Sequence, residues 1–130
     1  MSNVMPQHTA KPARSAGVVA SGIAVGLLGL IPLAMIALGV ARGAFYGLVD
    51  HGPYDNAWGG PSKQGAWAAH FAISVPVVVV GMLALVGLAA LHRRWRRWLG
   101  GERGCRWVLP VTVLLYAGAA LLVRAWIHQL

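Results

Sequence analysis

Histidine and aspartate side chains supply the most reactive chemistry in this sequence. The group comprises His51, His70, His128, Asp50 and Asp55. Imidazole nitrogens and carboxylate oxygens bind transition metals, so the three histidines together with Asp55 are candidate metal ligands. The alternative is a set of hydrogen-bonded histidines at the edges of apolar segments. Because the spacing contains no tight ligand motif, we predict no metal and no other cofactor.

A polar stripe runs along the last apolar segment. Its members, which follow one another at intervals of four residues, are Thr112, Tyr116, Ala120, Arg124 and His128. Polar side chains in a membrane-spanning helix usually face the helix bundle rather than lipid. We therefore expect Arg124 to turn inward and to form an ion pair with Asp50 or Asp55.

The sequence contains none of the common catalytic signatures. It lacks a Walker-type phosphate loop, a His-Glu-x-x-His motif and a Gly-x-Ser-x-Gly motif. Its three acidic residues lie outside the long apolar segments, which disfavours a proton-coupled carrier because such carriers use an intramembrane carboxylate. The single thiol, Cys105, is isolated and more typical of an incidental cysteine than of a nucleophile. The balance is against an enzyme.

The elements that must position these residues are long apolar segments. Hydrophobic residues make up 58% of the chain and charged residues only 11%, whereas a soluble domain is about one quarter charged. A bilayer core requires about 20 helical residues, and backbone groups in lipid must be satisfied within their own helix. We predict an all-α integral membrane protein with three transmembrane helices in one domain, residues 15–127. The spans cover about 16–41, 64–91 and 107–127.

The distribution of charge predicts the orientation of these helices. The loop 92–106 carries six arginines and one glutamate, whereas the loop 42–63 balances two basic residues with two acidic ones. Positively charged short loops stay in the cytoplasm. We therefore place the N-terminal tail, residues 1–14, and the basic loop inside, and the loop 42–63 and the C-terminus outside. The same rule explains the net charge of +8, so we predict no nucleic-acid partner.

Arginine and tryptophan alternate at the start of the basic loop. This lipid-interface group comprises Arg93, Arg94, Trp95, Arg96, Arg97 and Trp98. In a helix that continues the second span, Leu91, Trp95 and Trp98 share one face and the arginines lie opposite. We expect the indoles at headgroup depth and the guanidinium groups on anionic lipid headgroups. An anchor that sets topology is favoured over a regulated lipid sensor.

Glycines recur at helix-packing intervals in the first span and just after it. They are Gly22, Gly26, Gly39, Gly43 and Gly47. Glycines four residues apart let two helix backbones approach closely in lipid. The pattern fits contacts within one chain and contacts between chains, so a membrane-protein partner or a homo-oligomer is expected.

One segment resembles a stretch found in small uncharacterised integral membrane proteins of actinobacteria. The resemblance covers Asn56-Ala57-Trp58-Gly59-Gly60-Pro61 and Gly65-Ala66-Trp67-Ala68-Ala69-His70. It implies a bacterial plasma membrane and transfers no catalytic residue.

Three functions of different classes follow from these patterns. A non-catalytic accessory or scaffold subunit that packs against other membrane helices is favoured. The first alternative is a module that senses a ligand or metal outside the cytoplasm with the histidines of the outer side. The second is a small membrane enzyme that would use His70, Arg124 and Asp55.

Overall fold

A computed structural model describes residues 12–130, and the fold is all-helical over this range. Helix α1 is Pro12–Gly43, α2 is Tyr46–Val49, α3 is Lys63–Leu99 and α4 is Val108–Ile127, with a 3-10 helix at Arg103–Cys105 before α4. Three segments are long and apolar enough to cross a membrane: Ala13–Gly43, Lys63–Leu99 and Arg103–Ile127. The predicted helical class and the three apolar helices are therefore confirmed. Most of the predicted tail, residues 1–14, lies outside the described residues.

Helix α3 is longer than the predicted second span and includes the basic run. Its N-terminus is capped by Ser62, whose hydroxyl accepts a hydrogen bond from the Gly65 N–H at 3.1 Å. Its C-terminus lies at Leu99, and Gly101 then turns the chain with a φ of 99°. The arginines at 93–97 are thus part of the same rigid helix that carries the apolar span.

The loop before α3 packs on the first turn of that helix through two glycines. A Cβ atom placed on Gly59, which has a φ of 97°, would lie 2.6 Å from the Gly65 carbonyl carbon. Only glycine combines this backbone conformation with so close an approach. The residues that carry the resemblance to actinobacterial proteins therefore form a compact turn at the start of α3.

Helices α1 and α3 form a closely packed antiparallel hairpin. A Cβ atom on Gly39 would lie 3.0 Å from Val78 Cγ2, and one on Gly81 would lie 2.7 Å from Ile36 Cγ1. A Cβ atom on Gly43 would lie 2.5 Å from the Cβ of Ser74 and overlap its hydroxyl. Because glycine has no Cβ atom, these positions on both helices allow the short distance between α1 and α3, as expected for helix packing in lipid.

The glycine row predicted from the sequence divides into different roles. Gly39 and Gly43 lie in the hairpin interface, and a Cβ atom on Gly22 would lie 3.4 Å from Cε1 of the His92 ring. Gly47 faces the Lys63 side chain, whereas a Cβ atom on Gly26 would meet nothing within 4 Å. Most glycines of this row therefore pack against other parts of the same chain.

Helix α4 packs on the hairpin mainly through its first half. The buried core is Val25, Leu91, Cys105 and Val108, and Leu88, Trp95, Trp98 and Val111 pack around it. All residues from 120 to 130 are exposed. This core cluster therefore lies near the end of the molecule where α3 stops and α4 begins, whereas Tyr46 and Ala66 are buried at the opposite end.

Candidate functional site

A cluster of aromatic and polar side chains lies at one end of the α1–α3 hairpin, and its members come from α2, the loop after α2 and the start of α3. Tyr46 is 4% exposed, and its ring stacks on His70 with a centroid distance of 4.1 Å and an angle of 21°. Its hydroxyl donates to Asp50 Oδ2 at 3.0 Å, while the Gly52 N–H donates to Oδ1 at 3.1 Å. The Tyr54 hydroxyl donates to the Asp50 carbonyl at 2.9 Å. Asp50 thus accepts hydrogen bonds from Tyr46, Gly52 and Tyr54.

The protonation of this cluster follows from those contacts. The hydrogen bond from the Gly52 N–H, followed by the one from Tyr46, holds the pKa of Asp50 below its usual value. Burial is the main cause that raises the pKa of Tyr46, and the hydrogen bond to the Asp50 carboxylate adds to it. A neutral phenol therefore donates to an ionised carboxylate, an arrangement that stabilises the loop.

The structure does not assemble the histidines of the candidate metal set. His70 Nδ1 lies 2.7 Å from the Ala66 carbonyl oxygen, to which it donates when it carries the proton. His51 and Asp55 are exposed in the loop, and His128 lies at the end of α4. Among residues 12–130, no three histidine, cysteine or acidic side chains come together in a way that could hold a metal ion.

Arg124 is likewise not brought to either aspartate. The Asp50 carboxylate accepts hydrogen bonds from Gly52 and Tyr46, which are the main causes that lower its pKa, and Arg42 adds to this lowering. Arg124 is exposed on α4, where it lines a shallow surface groove with Tyr116 and His128. The expected inward turn is absent because the second half of α4 does not pack on the hairpin.

Two tryptophans of the predicted lipid-interface group belong to the protein core. Trp95 and Trp98 pack against the core with a centroid distance of 5.2 Å between their rings. The Trp95 Nε1–H donates to Thr112 Oγ1 at 2.8 Å, and Thr112 donates to the Val108 carbonyl at 2.7 Å. The apolar face of the run is therefore partly covered by α4, and the position of the indoles at headgroup depth stays a prediction.

The arginines of the same group lie on the open side of α3. Arg93, Arg94, Arg96 and Arg97 are all exposed. The Arg94 guanidinium lies 5.9 Å from the ring centroid of Trp107, a distance at which cation–π attraction operates. The separation of indoles and guanidinium groups onto opposite faces, which the helical period predicts, is therefore present.

An apolar groove lies between α1, α3 and α4. Its volume is about 630 Å³. Its walls include Leu28, Ala84, Gly87, Leu114, Gly118 and Leu122. A Cβ atom on Gly87 or on Gly118 would meet nothing within 4 Å. The groove was not predicted from the sequence, although the small residues at 84, 87 and 90 of α3 were a signal for it.

A second hydrogen bond ties α4 to the hairpin, in addition to the one between Trp95 and Thr112. The Tyr116 hydroxyl donates to the Ala24 carbonyl oxygen of α1 at 2.6 Å. Beyond this contact, every residue of α4 from 120 onward is exposed. The groove, which extends along α4 to Leu122, therefore lies partly beside the exposed second half of this helix.

The fold is that of a small helical protein with three helices that are long and apolar enough to cross a membrane. No protein family, characterised protein or solved structure matches this chain. Because a fold alone does not determine a function, the function proposed below rests on the geometry of the groove and on the charges.

Proposed function

We propose that this chain is a multi-pass protein of a bacterial plasma membrane that acts as a non-catalytic accessory or scaffold subunit. In this proposal, one transmembrane helix of a partner membrane protein packs into the groove between α1, α3 and α4. The observation that carries it is the pair of glycines, Gly87 and Gly118, which line the groove and at which an added Cβ atom would meet nothing within 4 Å.

The glycines of this chain separate into two kinds, and the difference supports the proposal. Gly39, Gly43 and Gly81 are required by the hairpin, because a Cβ atom on each would lie within 3.0 Å of a side chain on the facing helix. Gly87 and Gly118 have no such neighbour, although glycine weakens a helix by about 1 kcal/mol relative to alanine. A partner helix that packs closely in the groove would account for glycine at both positions.

The shape of the groove also favours a helix over a small molecule. Its walls are almost entirely aliphatic, and the polar atoms near it belong to Arg94 and Trp107 at one end. A small-molecule site usually contains a few convergent polar groups that orient the ligand. A wide apolar groove with small residues on two walls instead resembles the face on which another helix packs.

The orientation in this proposal places the N-terminus and the basic loop in the cytoplasm. The turn between α3 and α4 and the end of α3 contain six arginines and Glu102, whereas Asp50 and Asp55 lie at the opposite end of the hairpin. The positive-inside rule then puts Asp50, His70 and the end of α4 outside.

The test is partner capture with leucine variants of the groove glycines. Full-length tagged Gly87→Leu and Gly118→Leu place a side chain in the groove without a clash at Cβ, and leucine favours a helix more than glycine does. Gly26→Leu is the matched control, because Gly26 is an open glycine of α1 that does not line the groove. Each protein is isolated from native membranes in mild detergent, and the proteins that accompany it are quantified.

We expect a stoichiometric partner with the unmodified protein and with Gly26→Leu, and its loss with both groove variants. Circular dichroism should show equal helix content in all four proteins. A partner retained by Gly87→Leu and Gly118→Leu would refute docking in the groove. If the captured species were a second copy of this chain, the groove would form a homo-oligomer and would not bind a different protein. Light scattering of the purified protein distinguishes that outcome.

A further inference from the structure

A second cleft lies between the beginning of α1 and the end of α3, and it is strongly basic. Its volume is about 790 Å³. The basic side chains that line it are Arg14 from α1 and Arg93, Arg96 and Arg97 from α3. Val18 and Val19 of α1 form its apolar floor. The cleft thus joins a cationic rim to an apolar floor.

The chain does not neutralise these charges. Only Glu102 among its acidic residues lines the cleft, since Asp50 and Asp55 lie at the other end of the hairpin. Four arginines against one glutamate leave a formal excess of three positive charges. Residues 1–11 contain no aspartate or glutamate. An anion from outside the chain is therefore the natural counter-charge.

We propose that this cleft is a specific site for an anionic phospholipid whose headgroup carries two phosphate groups. Arginine binds phosphate oxygens through two parallel hydrogen bonds, and four arginines on two helices can engage two phosphates at once. Basic pockets between transmembrane helices on the cytoplasmic side are suited to such headgroups.

The apolar floor distinguishes a lipid from a free anion. Val18 and Val19 extend the cleft along α1 toward the membrane-spanning part of the helix, where the glycerol and the first methylenes of acyl chains would lie. Inorganic phosphate would gain nothing from these contacts. The site goes beyond adsorption to an anionic surface, because it requires Arg14 of α1 as well as the arginines of α3. It is also independent of what occupies the apolar groove.

The chain contains a matched control for charge. Arg94, Arg103 and Arg106 lie in the same basic region but do not line the cleft, and Arg94 lies over the Trp107 ring. Arg14→Gln with Arg97→Gln removes two charges from the cleft. Arg103→Gln with Arg106→Gln removes two charges from the same side of the protein and leaves the cleft intact.

The experiment measures lipid binding to the purified full-length protein in a neutral detergent. The probes are diphosphatidylglycerol with two phosphates, phosphatidylglycerol with one, phosphatidylcholine, and inorganic phosphate. We expect diphosphatidylglycerol to bind at least tenfold more tightly than phosphatidylglycerol. An arginine near an anionic headgroup is worth about fivefold in affinity, so the cleft pair should weaken binding about 25-fold and the control pair less than twofold.

Three results would overturn the proposal. An equal loss in the cleft pair and the control pair would mean diffuse attraction, and equal affinity for lipids with one and two phosphates would remove the two-phosphate site. Competition by inorganic phosphate as strong as that by lipid would assign the cleft to a free anion. Circular dichroism confirms that each pair retains its helices. Should the Arg14/Arg97 pair lose them, Arg93→Gln and Arg96→Gln, whose side chains are exposed, replace it with the same expected loss per arginine.

Discussion

The contact between Gly43 and Ser74 is the tightest place in the α1–α3 hairpin and gives a quantitative test of it. We expect Gly43→Ala to lower the free energy of unfolding by about 1–3 kcal/mol, the usual cost of overfilling a packed interface. The added Cβ would lie 2.5 Å from the Cβ of Ser74 and overlap its hydroxyl. Ser74 is buried and its hydroxyl donates to the Phe71 carbonyl at 2.8 Å, so it has little freedom to move away.

A double-mutant cycle separates this clash from other effects of the substitution. Ser74→Gly removes both atoms that the new methyl group would meet, although it also removes the hydrogen bond to Phe71. In the Ser74→Gly background, Gly43→Ala should therefore cost much less than in the unmodified protein. We expect a coupling energy of about 1–2 kcal/mol between the two positions, within the range for residues in direct contact.

The assay is reversible unfolding in mixed detergent micelles, followed by circular dichroism. Gly26→Ala is the control, because a Cβ atom there meets nothing within 4 Å, and alanine favours a helix by up to about 1 kcal/mol over glycine. We expect this control to be neutral or stabilising. If Gly43→Ala and Gly26→Ala had the same effect, or if the cycle gave no coupling, the close approach of α1 and α3 at Ser74 would be refuted.

Three further predictions follow from the core, the loop and the charges. Thr112→Val should destabilise the protein by about 1–3 kcal/mol in the same unfolding assay, because the half-buried indole N–H of Trp95 would lose its acceptor; a neutral result would show that this bond is dispensable. The pKa of Asp50 is lower in the folded protein than its ordinary value of 3.8. The ionised carboxylate therefore contributes fully to stability above pH 3.8, and this contribution is lost as the pH falls through the folded pKa. In Asp50→Asn, thermal unfolding should therefore depend less on pH between about pH 4 and 2. In a background without the native cysteine, an impermeant thiol reagent applied to cells should label Asp55→Cys and not Gly104→Cys, and labelling of both from the same side would exclude the proposed orientation.

The polar stripe of α4 shows why the candidate site was only partly predictable. Periodicity places Thr112, Tyr116 and Arg124 close to one helix face, and the structure buries Thr112 and bonds Tyr116 to α1. Arg124 is nevertheless exposed. A repeat of four residues drifts around a helix of about 3.6 residues per turn, and a polar pattern does not show how far along its length a helix is covered.

The surroundings of the tryptophans in the basic run were only partly predictable for a related reason. An amphipathic pattern predicts that Trp95 and Trp98 share a face opposite the arginines, and they do. It does not show whether that face meets lipid or protein, because both are apolar surroundings for an indole. The position of Thr112 beside Trp95 decides the question, and that neighbour comes from another helix.

The sequence alone determines the number of long apolar helices and the uneven distribution of charge. Both are properties of composition along the chain, since a charge-free segment of sufficient length must become a helix in lipid. The tertiary structure alone decides which glycines lie in contacts between helices. Gly26 and Gly39 look alike in sequence, yet one faces open space and the other lies against Val78. Helix packing depends on the residue opposite, and local periodicity contains no information about which residue that is.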